Sequence, residues 1–165
     1  MRYGQIRRYD VANGPGVRTS FFVTGCSHKC PDCFNQEYQD FSAGQEWTDQ
    51  ETQEIINNLS LEEITGLSIL GGEPFQNTED LFPVVKSIRQ KSKKSIWVYS
   101  GYSYEELIRE PLRKELLGLC DVLVDGLFLK EKKDLRLLFR GSSNQRIIDL
   151  NETSRQNHII LWEEK

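Results

Sequence analysis

The chain has 165 residues, 38% of them hydrophobic and 28% charged, with a net charge of −4. That is one domain's worth of sequence with enough apolar material for a core, so disorder is not expected. No apolar run approaches the ~18 residues a membrane span needs. The charged opening stretch lacks the apolar segment of an export signal, and without a basic block phosphate neutralisation has nothing to drive nucleic-acid binding.

In chain order, residues 20–24 (SFFVT) read as a buried strand stopped by Gly25. Thr48 then caps a helix from Asp49, with Glu51 completing a capping box and Ile55, Ile56 and Leu59 on its apolar face. Residues 67–70 form a second strand closed by Gly71-Gly72, and Asn77 or Thr78 caps a helix carrying Leu81, Val84, Val85 and Ile88. Residues 96–100 make a third strand before Gly101. Ser103 starts a short helix with Glu106 three positions on, and Pro111 opens a new turn. A fourth strand, 121–124, runs into Asp125-Gly126, and further strands are expected at 137–139, 147–150 and 158–162.

The four main runs are continuously apolar, as in strands covered on both faces. Their alternation with helices predicts a mainly parallel sheet with right-handed crossovers. A complete eightfold barrel takes about 250 residues. The expected fold class is therefore α/β, a partial, open TIM-type (β/α) barrel in a single domain, 1–165. Ligands of such folds lie at the carboxyl ends of the strands. Here those ends carry Gly25 and a cysteine cluster, Gly71-Gly72-Glu73, Ser100-Gly101-Tyr102 and Asp125-Gly126.

Three of the four cysteines, Cys26, Cys30 and Cys33, fall within eight residues in the spacing CxxxCxxC. In a chain expected to stay in a reducing cytoplasm this favours metal or redox chemistry over disulfides. One reading is a structural zinc ion, whose fourth ligand would come from His28, His158 or Cys120. His28 is squeezed between two ligands, and Cys120 precedes an apolar strand where a buried, inert thiol is the common outcome. The other reading is a [4Fe-4S] cluster held by three cysteines. One iron is then left without a protein ligand, open to bind a substrate or cofactor and pass it an electron. A ferredoxin-like electron carrier would need a fourth ligand.

With these residues the chain resembles the radical S-adenosylmethionine superfamily, and within it the activating proteins of anaerobic ribonucleoside-triphosphate reductases. The likeness rests on Asn13-Gly14-Pro15-Gly16 with Arg18, Gly25-Cys26 with Cys30, Cys33, Phe34 and Asn35, Gly71-Gly72-Glu73-Pro74, the run 97–102, the run 121–126, and 139–146 (FRGSSNQR). The resemblance implies the open barrel of the radical S-adenosylmethionine type. It also implies reductive cleavage of S-adenosylmethionine to methionine and a 5′-deoxyadenosyl radical, which takes a hydrogen from a glycine of the large reductase subunit. Activation of a pyruvate formate-lyase type enzyme is the near alternative, and a non-catalytic zinc module the distant one. A flavodoxin-type electron donor is implied as second partner.

On this resemblance Cys26, Cys30 and Cys33 ligate iron, and no catalytic residue is expected beyond cluster and cofactor. Gly71 and Gly72 let backbone approach the methionine moiety, and Glu73 accepts its amino group. Ser100 is a candidate ribose or amino-acid contact, although such a serine also serves as a turn residue. In the superfamily an aromatic often precedes the third cysteine. Asp32 stands there and Phe34 follows, so backbone groups of Asp32, Cys33 and Phe34 are expected to meet the adenine. Arg18, Arg140 and Arg146 are candidates for the cofactor carboxylate or the partner, a solvated surface charge being the commoner fate. Trp47, Trp97 and Trp162 are expected to pack.

Overall fold

The structure is a computed structural model and describes residues 1–164. Its strands are β1 (Arg2–Asp10), β2 (Arg18–Val23), β3 (Gln45–Glu46), β4 (Gly66–Gly71), β5 (Ser95–Tyr99), β6 (Val122–Asp125) and β7 (Arg146–Asp149). They join in one open sheet in the order β3-β1-β2-β4-β5-β6-β7. The central pairs β2–β4, β4–β5 and β5–β6 are parallel. The flanking pairs β1–β2, β1–β3 and β6–β7 are antiparallel. The fold is thus α/β with a mixed sheet, and strand–helix alternation governs only its centre.

Five helices accompany the sheet: α1 (Asp49–Leu59), α2 (Thr78–Lys91), α3 (Tyr104–Leu107), α4 (Pro111–Leu117) and α5 (Leu150–Gln156). Thr48 and Ser103 each close a capping box, with Glu51 and Glu106 returning to the cap N–H. Pro111 occupies the first turn of α4, where its missing N–H costs nothing. Period-two alternation divides the strands between two environments. Phe21, Val23, Leu67, Ile69, Ile96, Val98, Leu123 and Ile148 pack against the buried faces of the helices. On the other face Trp97, Val122 and Val124 pack with Tyr99, Phe139, Ile147 and Trp162, none of them helical. Both faces are covered, which explains the uninterrupted apolar runs, but only one is covered by helices.

Three sequence expectations are corrected and one strand is added. β1 has no clear signature in the sequence, because charged residues interrupt it and its apolar alternation is sparse; it forms by pairing along the whole of β2. Residues 137–139 make no strand, since Phe139 sits at φ 63 and turns its ring onto Trp97 and Trp162. Leu150 does not extend a strand but begins α5, because the Asp149 carboxylate accepts the Glu152 N–H and caps a helix there. Residues 158–162 contribute only a bridge from Leu161 to Ile148.

Candidate metal and cofactor site

The loop leaving β2 is closed at its base by Gly25 N–H donating to Tyr38 O and Cys26 N–H to Gln39 O. Within it Lys29 and Asp32 adopt left-handed conformations, φ 51 and 55, which curl the chain back on itself. The result is that Cys26, Cys30 and Cys33, all unpaired and half-buried, line one cleft of about 130 Å³ at the carboxyl ends of β2, β4 and β5. Burial raises the Cys26 and Cys30 thiols. The N–H groups of His28 and Lys29 at Cys26, and of Phe128 at Cys30, offset this in part. Ligation must therefore displace protons from neutral thiols.

The donor set suits a polynuclear cluster better than a single ion. His28 is held by Glu73, while Cys120 and His158 are engaged elsewhere, so a single zinc ion would lack the fourth ligand the sequence offers it, whereas a cluster with one open iron needs only the three thiolates. Cys120 stands apart. It is fully buried, its Sγ lies 3.4 Å from Leu116 O, and its pKa is pushed up by burial to about 12. His158 is exposed, its Nδ1 against Gln156 O.

The end of β4 abuts this loop backbone to backbone. Gly71 has φ +118, Gly72 N–H donates to Val23 O at 2.8 Å, and Glu73 N–H to Gly25 O at 2.8 Å. A Cβ on Gly72 would lie 2.5 Å from Gly25 O and 2.7 Å from Tyr38 O, so only glycine fits. Asn35 Nδ2 adds a tie to Gly71 O. Gly71, Gly72 and Glu73 thereby line the same cleft as the three cysteines.

Glu73 is 1% exposed and fully engaged. Its Oε1 accepts from Phe75 N–H at 3.0 Å and Ser100 Oγ at 2.8 Å. Oε2 accepts from Gly101 N–H at 2.7 Å and faces His28 Nε2 at 2.9 Å. Ser100 is buried, and its Oγ also accepts from Tyr102 N–H. It therefore orients Glu73, as a turn residue does. In the sequence His28 reads only as a candidate zinc ligand. Its contact with Glu73 joins residues 45 positions apart and leaves no trace in local sequence.

The other expected contacts divide. The exposed Asp32 carboxylate pairs with Lys130 Nζ at 2.9 Å. Phe34 is half-exposed, packed against Phe128 with centroids 5.0 Å apart, and carries the Lys133 ammonium over its ring. It lines a second cavity of about 490 Å³ on the helix-free face of the sheet. The two cavities share Cys33, Asn35, Leu70, Tyr99, Phe128 and Gln145. The Tyr99 hydroxyl in that shared wall is buried without a hydrogen-bond partner, and burial raises its pKa. Sequence reasoning missed it, because in a strand a tyrosine reads as packing.

None of the three arginines is a free surface charge. Arg18 is 1% exposed and ties β2 to β4 and β5 through Ser68, Leu67 and Ser95. Arg146 bridges Asp125 and Glu105. Arg140 donates to backbone carbonyls of Ser143 and Gln145. Asn13 lines the second cavity, held by Asp10 Oδ2 and by Ser68 Oγ donating to its carbonyl.

A protein-family model described as a 4Fe-4S single cluster domain matches residues 12–148. The anaerobic ribonucleoside-triphosphate reductase-activating protein of Escherichia coli (strain K12) is 41% identical over 150 residues, 88% of this chain and 96% of that protein. The protein of that name from Haemophilus influenzae is likewise 41% identical over 150 residues, with the same coverage of both chains. Its namesake from Enterobacteria phage T4 is 38% identical over 152 residues, 89% of this chain and 93% of the relative.

Proposed function

The chain belongs to the family of anaerobic ribonucleoside-triphosphate reductase-activating proteins, and on that premise we propose that it activates such a reductase by generating a glycyl radical on it. The observation that carries this reading is the convergence of three half-buried thiols and a Gly-Gly-Glu strand end on one cleft. Cys26, Cys30 and Cys33 would hold a [4Fe-4S] cluster. When bound, it supplies the electron for reductive cleavage of S-adenosylmethionine to methionine and the radical that removes hydrogen from the reductase glycine.

The chain's own residues bind and orient. Gly71 and Gly72 expose backbone to the methionine moiety, and backbone groups of Asp32, Cys33 and Phe34 face the adenine. Glu73 accepts the amino group at Oε2, the oxygen that His28 now faces, so cofactor binding exchanges the His28 contact for the ammonium. Ser100 and Gly101 hold the carboxylate in place meanwhile. The reading takes residues 1–165 as one domain and the open sheet as part of a (β/α) barrel that admits another protein. A flavodoxin-type protein would deliver the electron, and three unpaired thiols in an accessible cleft suit a reducing cytoplasm.

The test is anaerobic incubation of the reconstituted protein with S-adenosylmethionine, dithionite and the reductase. Formation of 5′-deoxyadenosine together with a glycyl electron-spin signal is expected. A preparation with a full iron complement that yields neither product refutes the proposal. Alanine at Cys26, Cys30 or Cys33 should abolish cleavage, and Cys120→Ala should leave it intact.

A further inference from the structure

Among the described residues, three buried polar side-chain atoms lack a hydrogen-bond partner: Asn58 Nδ2, Asn144 Oδ1 and the Tyr99 hydroxyl. Of these three residues only Tyr99 lines the cysteine cleft. A buried, unpaired hydroxyl forfeits the hydrogen bonds it made to water, so its presence calls for a reason. The sheet explains how it comes to be there. Ile96 and Val98 pack against the helices, which sends Trp97 and Tyr99 to the opposite face. Tyr99 is the last residue of β5, and its ring stands in the wall between the two cavities.

The other donors nearby are already engaged. Asn35 Nδ2 donates to Gly71 O at 3.2 Å and Gln145 Nε2 to Gly126 O at 3.1 Å. Ser100 Oγ donates to Glu73 Oε1, and His28 faces Glu73 Oε2. The phenol is therefore a donor held in place with its acceptor missing, and burial keeps it protonated at neutral pH. Ligand sites are built this way, with a few placed polar groups fixing orientation in a largely apolar cleft. Leu70, Val124 and Phe128 supply that apolar lining.

We propose that the Tyr99 hydroxyl is a positioning contact for the cofactor, donating a hydrogen bond to a ribose hydroxyl of S-adenosylmethionine. The inference rests on the function proposed above. Place in the wall selects the ribose. Glu73, which takes the amino group in that reading, lines the cysteine cleft but not the second cavity. Phe34, whose backbone faces the adenine in that reading, lines the second cavity but not the cysteine cleft. Tyr99 lines both, and in the cofactor the ribose joins those two ends. The carboxylate shares a carbon with the amino group and so belongs at the Glu73 end. With Glu73 on one side of the carbon–sulfur bond and Tyr99 on the other, the bond that breaks is oriented from both sides.

Tyr99→Phe removes the oxygen and keeps the ring. The melting temperature of the cluster-free chain should not fall, and the iron content after reconstitution should match the parent. Equilibrium dialysis of the reconstituted protein then compares S-adenosylmethionine with its 2′-deoxy and 3′-deoxy analogues. The variant should bind S-adenosylmethionine at least fivefold more weakly than the parent. For the analogue lacking the contacted hydroxyl, parent and variant should bind equally, because the phenol has nothing left to meet. A merely structural role would weaken all three ligands alike. Equal affinity of parent and variant for S-adenosylmethionine overturns the inference, and so does a loss of the same size for both analogues. A lower melting temperature overturns it too, since the phenol would then have its partner within the chain. If the iron-loaded parent does not bind S-adenosylmethionine at all, the proposed function fails and the inference falls with it.

Discussion

Replacing Arg18 with alanine tests whether the sheet is tied internally by a buried cation. The guanidinium donates to Ser68 Oγ and Leu67 O at 2.8 Å and to Ser95 O and Ser95 Oγ at 3.0 Å. It lies 5.6 Å from the Trp97 ring centroid. Four hydrogen bonds from a charged donor, at about 1.5 kcal/mol each, contribute roughly 6 kcal/mol. Burial opposes them: a pKa lowered from 12.5 to about 10 puts the cost of keeping the charge in that setting at about 3 kcal/mol. The side chain stays charged at neutral pH, and its net contribution is about 3 kcal/mol, before any cavity left by its removal. At ~2–4 °C per kcal/mol for a chain of this size, Arg18→Ala should lower the melting temperature by roughly 10 °C. Arg18→Lys keeps the charge but cannot span both serines, and should fall between. Calorimetry of the cluster-free protein under reducing conditions reads both. A melting point within about 2 °C of the parent for Arg18→Ala would refute the reasoning, because it would mean that this guanidinium exchanges its partners for water at no cost.

Tyr99→Phe removes a buried hydroxyl that has no partner, so the cluster-free protein should gain about 1 kcal/mol in urea unfolding; a loss would mean that the phenol has a partner. Burial alone would raise the Asp10 carboxyl, but hydrogen bonds from Ser20, Asn13 and the Ala12 N–H outweigh it and hold the pKa below 3.8. Its stabilisation is therefore present above that value and lost as pH falls through the folded-state pKa. Asp10→Asn should be less stable than the parent at pH 7, with the gap closing in acid, and a gap of constant size would contradict this. Gly72→Ala pushes a methyl group against the carbonyls of Gly25 and Tyr38. Equilibrium dialysis of the reconstituted protein should show affinity for S-adenosylmethionine at least tenfold weaker, and unchanged affinity would mean that the strand end is not the cradle.

The features legible in the sequence are those governed by neighbours along the chain. The spacing of Cys26, Cys30 and Cys33, the capping boxes at Thr48 and Ser103, the first-turn Pro111 and the glycines closing β4 each act within a few residues. Their consequences therefore follow from local chemistry alone. The resemblance to a family was legible for the same reason, because it is written in short contiguous motifs. Tertiary structure decided everything that depends on which distant residue arrives. Arg18 reads as a surface charge until β4 and β5 close over it, and Glu73 reads as a free acceptor until His28 and Ser100 reach it. Strand β1 has no local signature and exists because β2 offers an edge. The run 139–146 looks like one motif, yet its physical role appears only when Gln145 meets Gly126 across the base of a loop. Chain connectivity determines which groups are available, whereas burial and hydrogen bonding between remote segments determine which of them remain free to act.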